Sequence, residues 1–245
     1  MERRMLEVKR SVLAGNDEAA EAFREKRREE RTFFVDVMAS PGAGKTTLLL
    51  SLVEGLRARA DRAGLPAPKL GVIEADLESD VDARKIKEAG VASVELNTRG
   101  VCHVEMGMVE RAFEAFGGIP FEWLFLENIG NLVCPAEFDT GAHCRIMLLS
   151  VPEGWDKVVK YPPMFAVVDA LVVTKSDYLP SNPDFDLAAL EECACALNPR
   201  LEVFVTSART GEGLGELVSW LERRRAACVP LVVRSSTVGA FRAAL

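Results

Sequence analysis

ASPGAGKTT, residues 39–47, lies between a run that reads as a β-strand, Thr32 to Met38, and a run in which Leu48, Leu49, Leu52, Val53 and Leu56 recur at helical spacing. Glycines at 42 and 44 reach backbone angles closed to other residues, so the loop can curl and turn its amide N–H groups inward. A concave set of donors suits a polyphosphate. Lys45 supplies a point charge for the β and γ phosphates, Thr46 offers a hydroxyl to Mg²⁺, and the following helix adds its positive N-terminal end. Pro41, Gly42, Ala43, Gly44, Lys45, Thr46 and Thr47 are therefore the expected phosphate contacts. The strict pattern, GxxxxGK followed by Ser or Thr, has glycine where this chain has Ala39, the smallest possible departure.

Working outward, apolar runs at Leu70 to Ala75 and Phe121 to Leu126 read as strands, each followed by an acid, Asp76 and Glu127. Both acids would stand at the sheet edge that carries the loop. Mg²⁺ prefers oxygen ligands and keeps several waters, so one or two such carboxylates beside Thr46 suffice. Asp80, in DLESD, is the candidate for positioning an attacking water while Lys45 and Mg²⁺ stabilise charge on the transferring phosphoryl group. The run Thr174 to Asp177, TKSD, resembles the NKxD guanine-reading motif with Thr in place of Asn. Asp177 can accept from N1 and N2 of guanine, groups adenine cannot match, and the Lys175 stem can cover the ring. Ser207 and Ala208, after a strand ending at Thr206, resemble the element that contacts the guanine oxygen. GTP and GDP are the expected nucleotides.

Further strands are expected at Ala92 to Leu96, Arg145 to Val151, Ala170 to Thr174 and Glu202 to Thr206, with helices at Val104 to Phe116, Asp186 to Leu197 and Gly213 to Arg225. Alternating strands and helices predict an α/β fold: a doubly wound, mostly parallel sheet of the P-loop NTPase kind, with ligands where strands end. An N-terminal segment, 1–31, reads as a solvated helix from about Glu18 to Arg31, capped by Asn16 or Asp17. Residues 32–228 form the nucleotide-binding domain, and 229–245 a C-terminal extension without an assigned role. A net charge of −7 and the lack of a basic cluster argue against nucleic-acid partners. The N-terminal MERRMLEVKR has no signal-peptide core and no run is long enough to span a membrane, so a cytoplasmic location with no membrane partner is expected. In that compartment the six cysteines read as buried thiols or metal ligands before disulfides.

Cys102 and His103 adjoin in NTRGVCH, and Cys134 lies in ENIGNLVCP after the Glu127 strand. Thiolates with an imidazole suit Zn²⁺ or Ni²⁺, and three such ligands leave a coordination position for water or for a second subunit. Spacing alone favours the other reading, two small core cysteines and a polar residue at a helix start. His143 and Cys144 also adjoin, but they open an expected strand and read as packing. Cys193 and Cys195 point in different directions on one helix.

Taken together, VMASPGAGKTTLL, GVIEADLESDVDA, NTRGVCH, ENIGNLVCPAEFD, LLSVPEGWDKVVKYPPMF and TKSD resemble the HypB family of GTPases across nearly all of the chain, with ENIGNLVCP the most specific of them. The resemblance implies slow GTP hydrolysis coupled to nickel insertion into nickel-iron hydrogenases. It also implies a GTP-linked homodimer with metal held at its interface through Cys102, His103 and Cys134, a nickel-delivery partner protein, and a hydrogenase large-subunit precursor as client. Lys160 matches a family lysine that reaches the partner's nucleotide. The chain has neither the N-terminal cysteine motif nor the histidine-rich stretch of many relatives, so metal storage is not implied. Alternatives on the same fold are a GTPase chaperone for urease, whose relatives carry a CPH element, or for a cobalamin enzyme. A non-hydrolysing scaffold is the alternative from another class.

Overall fold

The computed structural model describes residues 2–75 and 80–229. The chain runs α1 (Glu2–Glu29), β1 (Phe33–Ala39), α2 (Lys45–Arg62), β2 (Leu70–Glu74), α3 (Asp80–Glu88), β3 (Ala92–Glu95), α4 (Met106–Ala115) and β4 (Trp123–Gly130). It continues through β5 (Cys144–Ser150), the short helices α5 (Lys157–Lys160) and α6 (Pro162–Ala166), β6 (Ala170–Thr174), α7 (Leu187–Leu197), β7 (Glu202–Val205) and α8 (Leu214–Cys228). Seven strands form one sheet in the order β3-β2-β4-β1-β5-β6-β7. Every neighbouring pair is parallel, so the expected mostly parallel sheet is wholly parallel among the described residues.

Alternation along the strands divides the core. Phe33, Val35, Val37 and Ala39 of β1 face the same side as Trp123 and Phe125 of β4 and Ile146 and Leu148 of β5, where α2 and α8 cover them. Leu48, Leu49, Leu52, Val53 and Leu56, the apolar stripe of α2, meet them there. Each such buried side chain contributes about 1.5–3 kcal/mol relative to exposure. The opposite side holds two separate clusters. Phe34, Leu124 and Leu126 pack under α1 and α4, while Met38, Met147 and Leu149 pack under α6 and α7. Asp36 lies between Phe34 and Met38 on this side, in the seam between the clusters. There it accepts from Thr140 Oγ1 at 2.7 Å and from Asn128 Nδ2 at 3.0 Å. Burial pushes the Asp36 carboxyl above its ordinary range, and those two hydrogen bonds oppose the shift.

Two expectations change. The leading helix is neither short nor solvated. It spans Glu2–Glu29, and Ala20, Phe23 and Arg27 are buried against the sheet and α4. Asn16 does not cap it: its side chain donates to the Asp139 carbonyl at 2.8 Å and accepts from Met106 N–H at 2.9 Å, so a residue that resembles a local cap serves two distant segments. The helix ends where Arg31 adopts φ 64, with Thr32 N–H returning to the Arg27 carbonyl and Arg31 N–H to that of Arg28.

The second change concerns β4. Its pairing with β1 slips between Val37 opposite Glu127 and Ala39 opposite Gly130. This bulge carries the strand on to Gly130, so Glu127 lies within β4 rather than after it. No described helix is long and apolar enough to cross a membrane.

Candidate functional site

The loop between β1 and α2 has the curled backbone its glycines permit, with φ 74 at Gly42 and φ 96 at Gly44. It is tethered at both ends and in the middle. Thr174 Oγ1, at the end of β6, donates to the Ala43 carbonyl at 2.7 Å, and Lys175 Nζ donates to the Gly42 carbonyl at 2.8 Å. Lys45 and Thr46 open α2 and are buried; Thr46 Oγ1 donates to Glu127 Oε1 at 2.7 Å. Ser40 Oγ donates to Glu153, in the turn after β5. Pro41 lies over the end of β4, where a Cβ added to Gly130 would stand 3.0 Å from Pro41 Cγ and 3.1 Å from its nitrogen. Thr47 is exposed at the start of α2, where it lines a cavity beside the loop.

Beside the loop is a cavity of about 210 Å³ whose walls include Ala43, Gly44, Lys175, Asp177, Tyr178 and Ala208. Lys175 holds the left-handed conformation, φ 59, which turns its side chain back across the loop. Asp177 Oδ1 accepts from Ser207 Oγ at 2.7 Å, and Arg209 stands 3.7 Å from its other oxygen. Ser207 N–H in turn donates to the Glu212 carbonyl at 3.1 Å. Loop, TKSD segment and Ser207–Ala208 segment thus surround one cavity, although they are far apart in the chain. Asp76 lies outside the described residues. Asp80 opens α3, and its side chain also lies outside them.

The chain beyond β4 leads to the cysteines. Cys134 opens the 3-10 turn Cys134–Ala136, and Cys102 Sγ donates to Cys134 Sγ at 2.8 Å. That hydrogen bond, with burial second, raises the Cys102 thiol above its ordinary value. Asn131 Nδ2 donates to the Cys102 carbonyl at 3.1 Å, which holds the two cysteine loops together. His103 is less converged: its Nδ1 is 3.9 Å from Cys102 Sγ, its Nε2 is 3.1 Å from Glu105 Oε1, and its ring stacks on Phe138. Among the described residues no three His, Cys, Asp or Glu side chains form a ready metal cage within one chain. Lys160 is half-exposed and ion-paired with Asp156.

Sequence reading missed Ser40, Glu153, Gly130 and the group of Asp36, Asn128 and Thr140, and it found Thr174 in TKSD without its bond to the loop. Only Glu153 had a local signal: Ser150 and Glu153 have capping-box spacing directly after an apolar strand, and both of its hydrogen bonds form. The others act across the sheet. His143, read as packing, accepts from Phe34 N–H through Nδ1 at 3.0 Å and holds Nε2 3.0 Å from the Arg24 carbonyl.

Residues 34–205 match the family model described as CobW/HypB/UreG, nucleotide-binding domain. The protein named hydrogenase maturation factor HypB from Azotobacter chroococcum mcd 1 is 43% identical over 224 residues, covering 91% of this chain and 70% of its own length. The fold is similar to the crystal structure of HypB from Helicobacter pylori in complex with nickel, with TM-score 0.78, 32% identity and coverage of 89% of this chain and 98% of that one. It is also similar to HypB from Archaeoglobus fulgidus, with TM-score 0.77, 30% identity and coverage of 87% and 100%.

Proposed function

We propose, from the premise that this chain belongs to the CobW/HypB/UreG nucleotide-binding family, that it is a GTP-hydrolysing metallochaperone supporting nickel insertion during maturation of nickel-iron hydrogenase. The observation that carries the reading is the Thr46–Glu127 hydrogen bond. It ties the phosphate loop to β4, the strand that leads into the Cys134 turn and its 2.8 Å contact with Cys102.

In this reading the loop amides of Gly42 to Thr47 and the Lys45 ammonium hold the phosphates, with the Lys45 charge matched to the β and γ oxygens. Asp177 accepts from guanine N1 and N2, Lys175 covers one ring face, and Ser207 and Ala208 border the base. The Thr46 hydroxyl and Glu127 carboxylate form an all-oxygen donor set, which fits Mg²⁺. When bound there, Mg²⁺ supplies charge neutralisation for the transferring phosphoryl group. Asp76 shares that metal-holding role and Asp80 places the attacking water, both on sequence grounds.

Nickel is cargo. Cys102, His103 and Cys134 bind it, or Zn²⁺ in its place, and a second copy of the chain supplies the remaining ligands in a GTP-linked homodimer. The relative of known structure from Helicobacter pylori is described in complex with nickel. The delivery partner and hydrogenase precursor are the remaining participants. A cytoplasmic location suits thiols that must stay reduced to bind metal.

Two measurements test the proposal. GTP turnover is expected in the wild type and lost in Lys45→Ala; turnover that survives in the variant removes the phosphate-loop assignment. Equilibrium dialysis with Ni²⁺ is expected to show weaker binding by Cys134→Ala, and equal binding by the two proteins removes the thiol pair as the cargo site.

A further inference from the structure

We infer that Glu153 is a positioning residue for the phosphate loop, acting through Ser40 to fix the path by which the chain leaves β1. The inference rests on the assignment of residues 39–47 as that loop. Glu153 ends the turn Val151–Glu153 directly after β5, and both of its carboxylate oxygens are engaged. Oε2 accepts from Ser150 N–H at 2.8 Å and from Ser150 Oγ at 2.6 Å. The first is the capping-box bond and the second a contact between the same two residues, so both are local to the turn. Oε1 does something the local motif does not require: it accepts from Ser40 Oγ, far away in the sequence.

Ser40 is the first residue after β1, and its carbonyl receives Ala43 N–H at 3.4 Å, the bond that begins the curl of the loop. The other tethers grip farther along, at the Gly42 and Ala43 carbonyls and the Thr46 hydroxyl. Among the described hydrogen bonds, the Ser40–Glu153 pair is the side-chain tether nearest to β1. Electrostatics argues that Glu153 works through Ser40 rather than on the ligand. A carboxylate is the wrong charge to contact phosphate, and placing one beside an anion site opposes binding unless its geometry is needed. Ser150 is buried, so the carboxylate is clamped to the strand end before it meets Ser40.

The test is titration of the full chain with fluorescently labelled GDP for Ser40→Ala, Glu153→Ala, the double variant and Glu153→Gln, alongside the KM for GTP. Each alanine variant is expected to weaken binding by about tenfold, the scale of one lost hydrogen bond. The double variant is expected to be no weaker than the worse single, because both remove the same link. Glu153→Gln should restore part of the loss, since its one amide oxygen can still accept from Ser40 while its NH2 group, turned towards Ser150, can donate to Oγ but cannot accept from the N–H. A purely structural role would not produce that rescue together with non-additivity. Affinity at the wild-type level in Ser40→Ala, or losses that multiply in the double variant, overturns the inference. Should Glu153→Ala fail to fold, Ser40→Ala and Glu153→Gln still decide it. Lys45→Ala separates the two levels. If that variant loses nucleotide while Ser40→Ala does not, only the positioning role fails; if it retains nucleotide, the phosphate-loop reading fails.

Discussion

Gly130 shows how one absent methyl group shapes the phosphate loop. Unlike Gly42 and Gly44 it does not sit at positive φ, so nothing in its own backbone calls for glycine. The demand comes from Pro41, whose ring and backbone would stand 3.0 to 3.2 Å from an added Cβ. Gly130→Ala must therefore displace either the end of β4 or the loop, an overpacking worth about 1–3 kcal/mol. Because the loop is the thinner element, we expect the cost to appear mainly in nucleotide affinity, as a rise of about tenfold in the Kd for GDP measured by titration, with little change in Tm. Unchanged affinity would mean that the loop moves aside freely. The same contrast explains what was legible at this scale. Gly42, Gly44 and Lys45 are required by the local chemistry of a curled loop, so they could be read from nine adjacent residues. Gly130 and Glu153 owe their roles to Pro41 and Ser40 across the sheet, which no local pattern announces.

Among the elements, α1 departs furthest from its sequence reading, and the segment following Cys134 explains why. Asp139 receives two hydrogen bonds at 2.7 Å from Arg24 and one ion pair at 2.7 Å from Arg145. Burial opposes the shift, but these arginines hold its carboxyl below the ordinary range. His143 completes the clamp by joining the helix carbonyl of Arg24 to the first residues of β1. With Nδ1 accepting and Nε2 donating, the ring must be neutral. Burial lowers its pKa to about 4, with Arg28 and Arg24 adding to the shift and the Arg24 carbonyl and Glu21 opposing it. The folded value lies below the unfolded value of about 6.5. The contribution to stability is therefore complete above pH 6.5 and is lost as pH falls from there towards 4. We expect the urea midpoint of the wild type to drop between pH 7 and pH 5 by more than that of His143→Gln, with equal drops counting against the clamp. Strand and helix positions were legible from periodicity, as at Ala170–Thr174. The start of α1 was not, because Asn16 has the chemistry of a cap but spends it on Asp139 and Met106. The bulge in β4 likewise placed Glu127 inside a strand whose apolar run stops before it.

At the scale of the whole molecule, one seam runs between the proposed phosphate and metal sites. Glu127 meets Thr46, its neighbour Asn128 meets the buried Asp36, and Asp36 meets Thr140, which closes the segment begun by Cys134. The fold class and the meeting of the loop, the TKSD segment and the Ser207–Ala208 segment at one cavity were legible because each strand-end motif could be assigned to one sheet edge. The Asp36 group was not, since a lone acid within an apolar strand gives no hint of its partners. If the seam transmits, nucleotide and nickel affinities are linked reciprocally. Replacing GDP with GTP should change the Kd for Ni²⁺ by a factor within about 5–150, and Ni²⁺ should change the ratio of GTP to GDP affinity by that same factor. Calorimetric titration in both orders checks this, and two independent affinities would show the sites to be uncoupled. The tethering of the phosphate loop to the ends of β4, β5 and β6 has a further consequence. The loop acquires its shape when the sheet assembles, so its ordering entropy is spent during folding and not on ligand capture. Amide relaxation measured on the ligand-free chain should then give Gly42 to Lys45 order parameters like those of the surrounding strands, as a rigid socket rather than a lid that shuts on its guest.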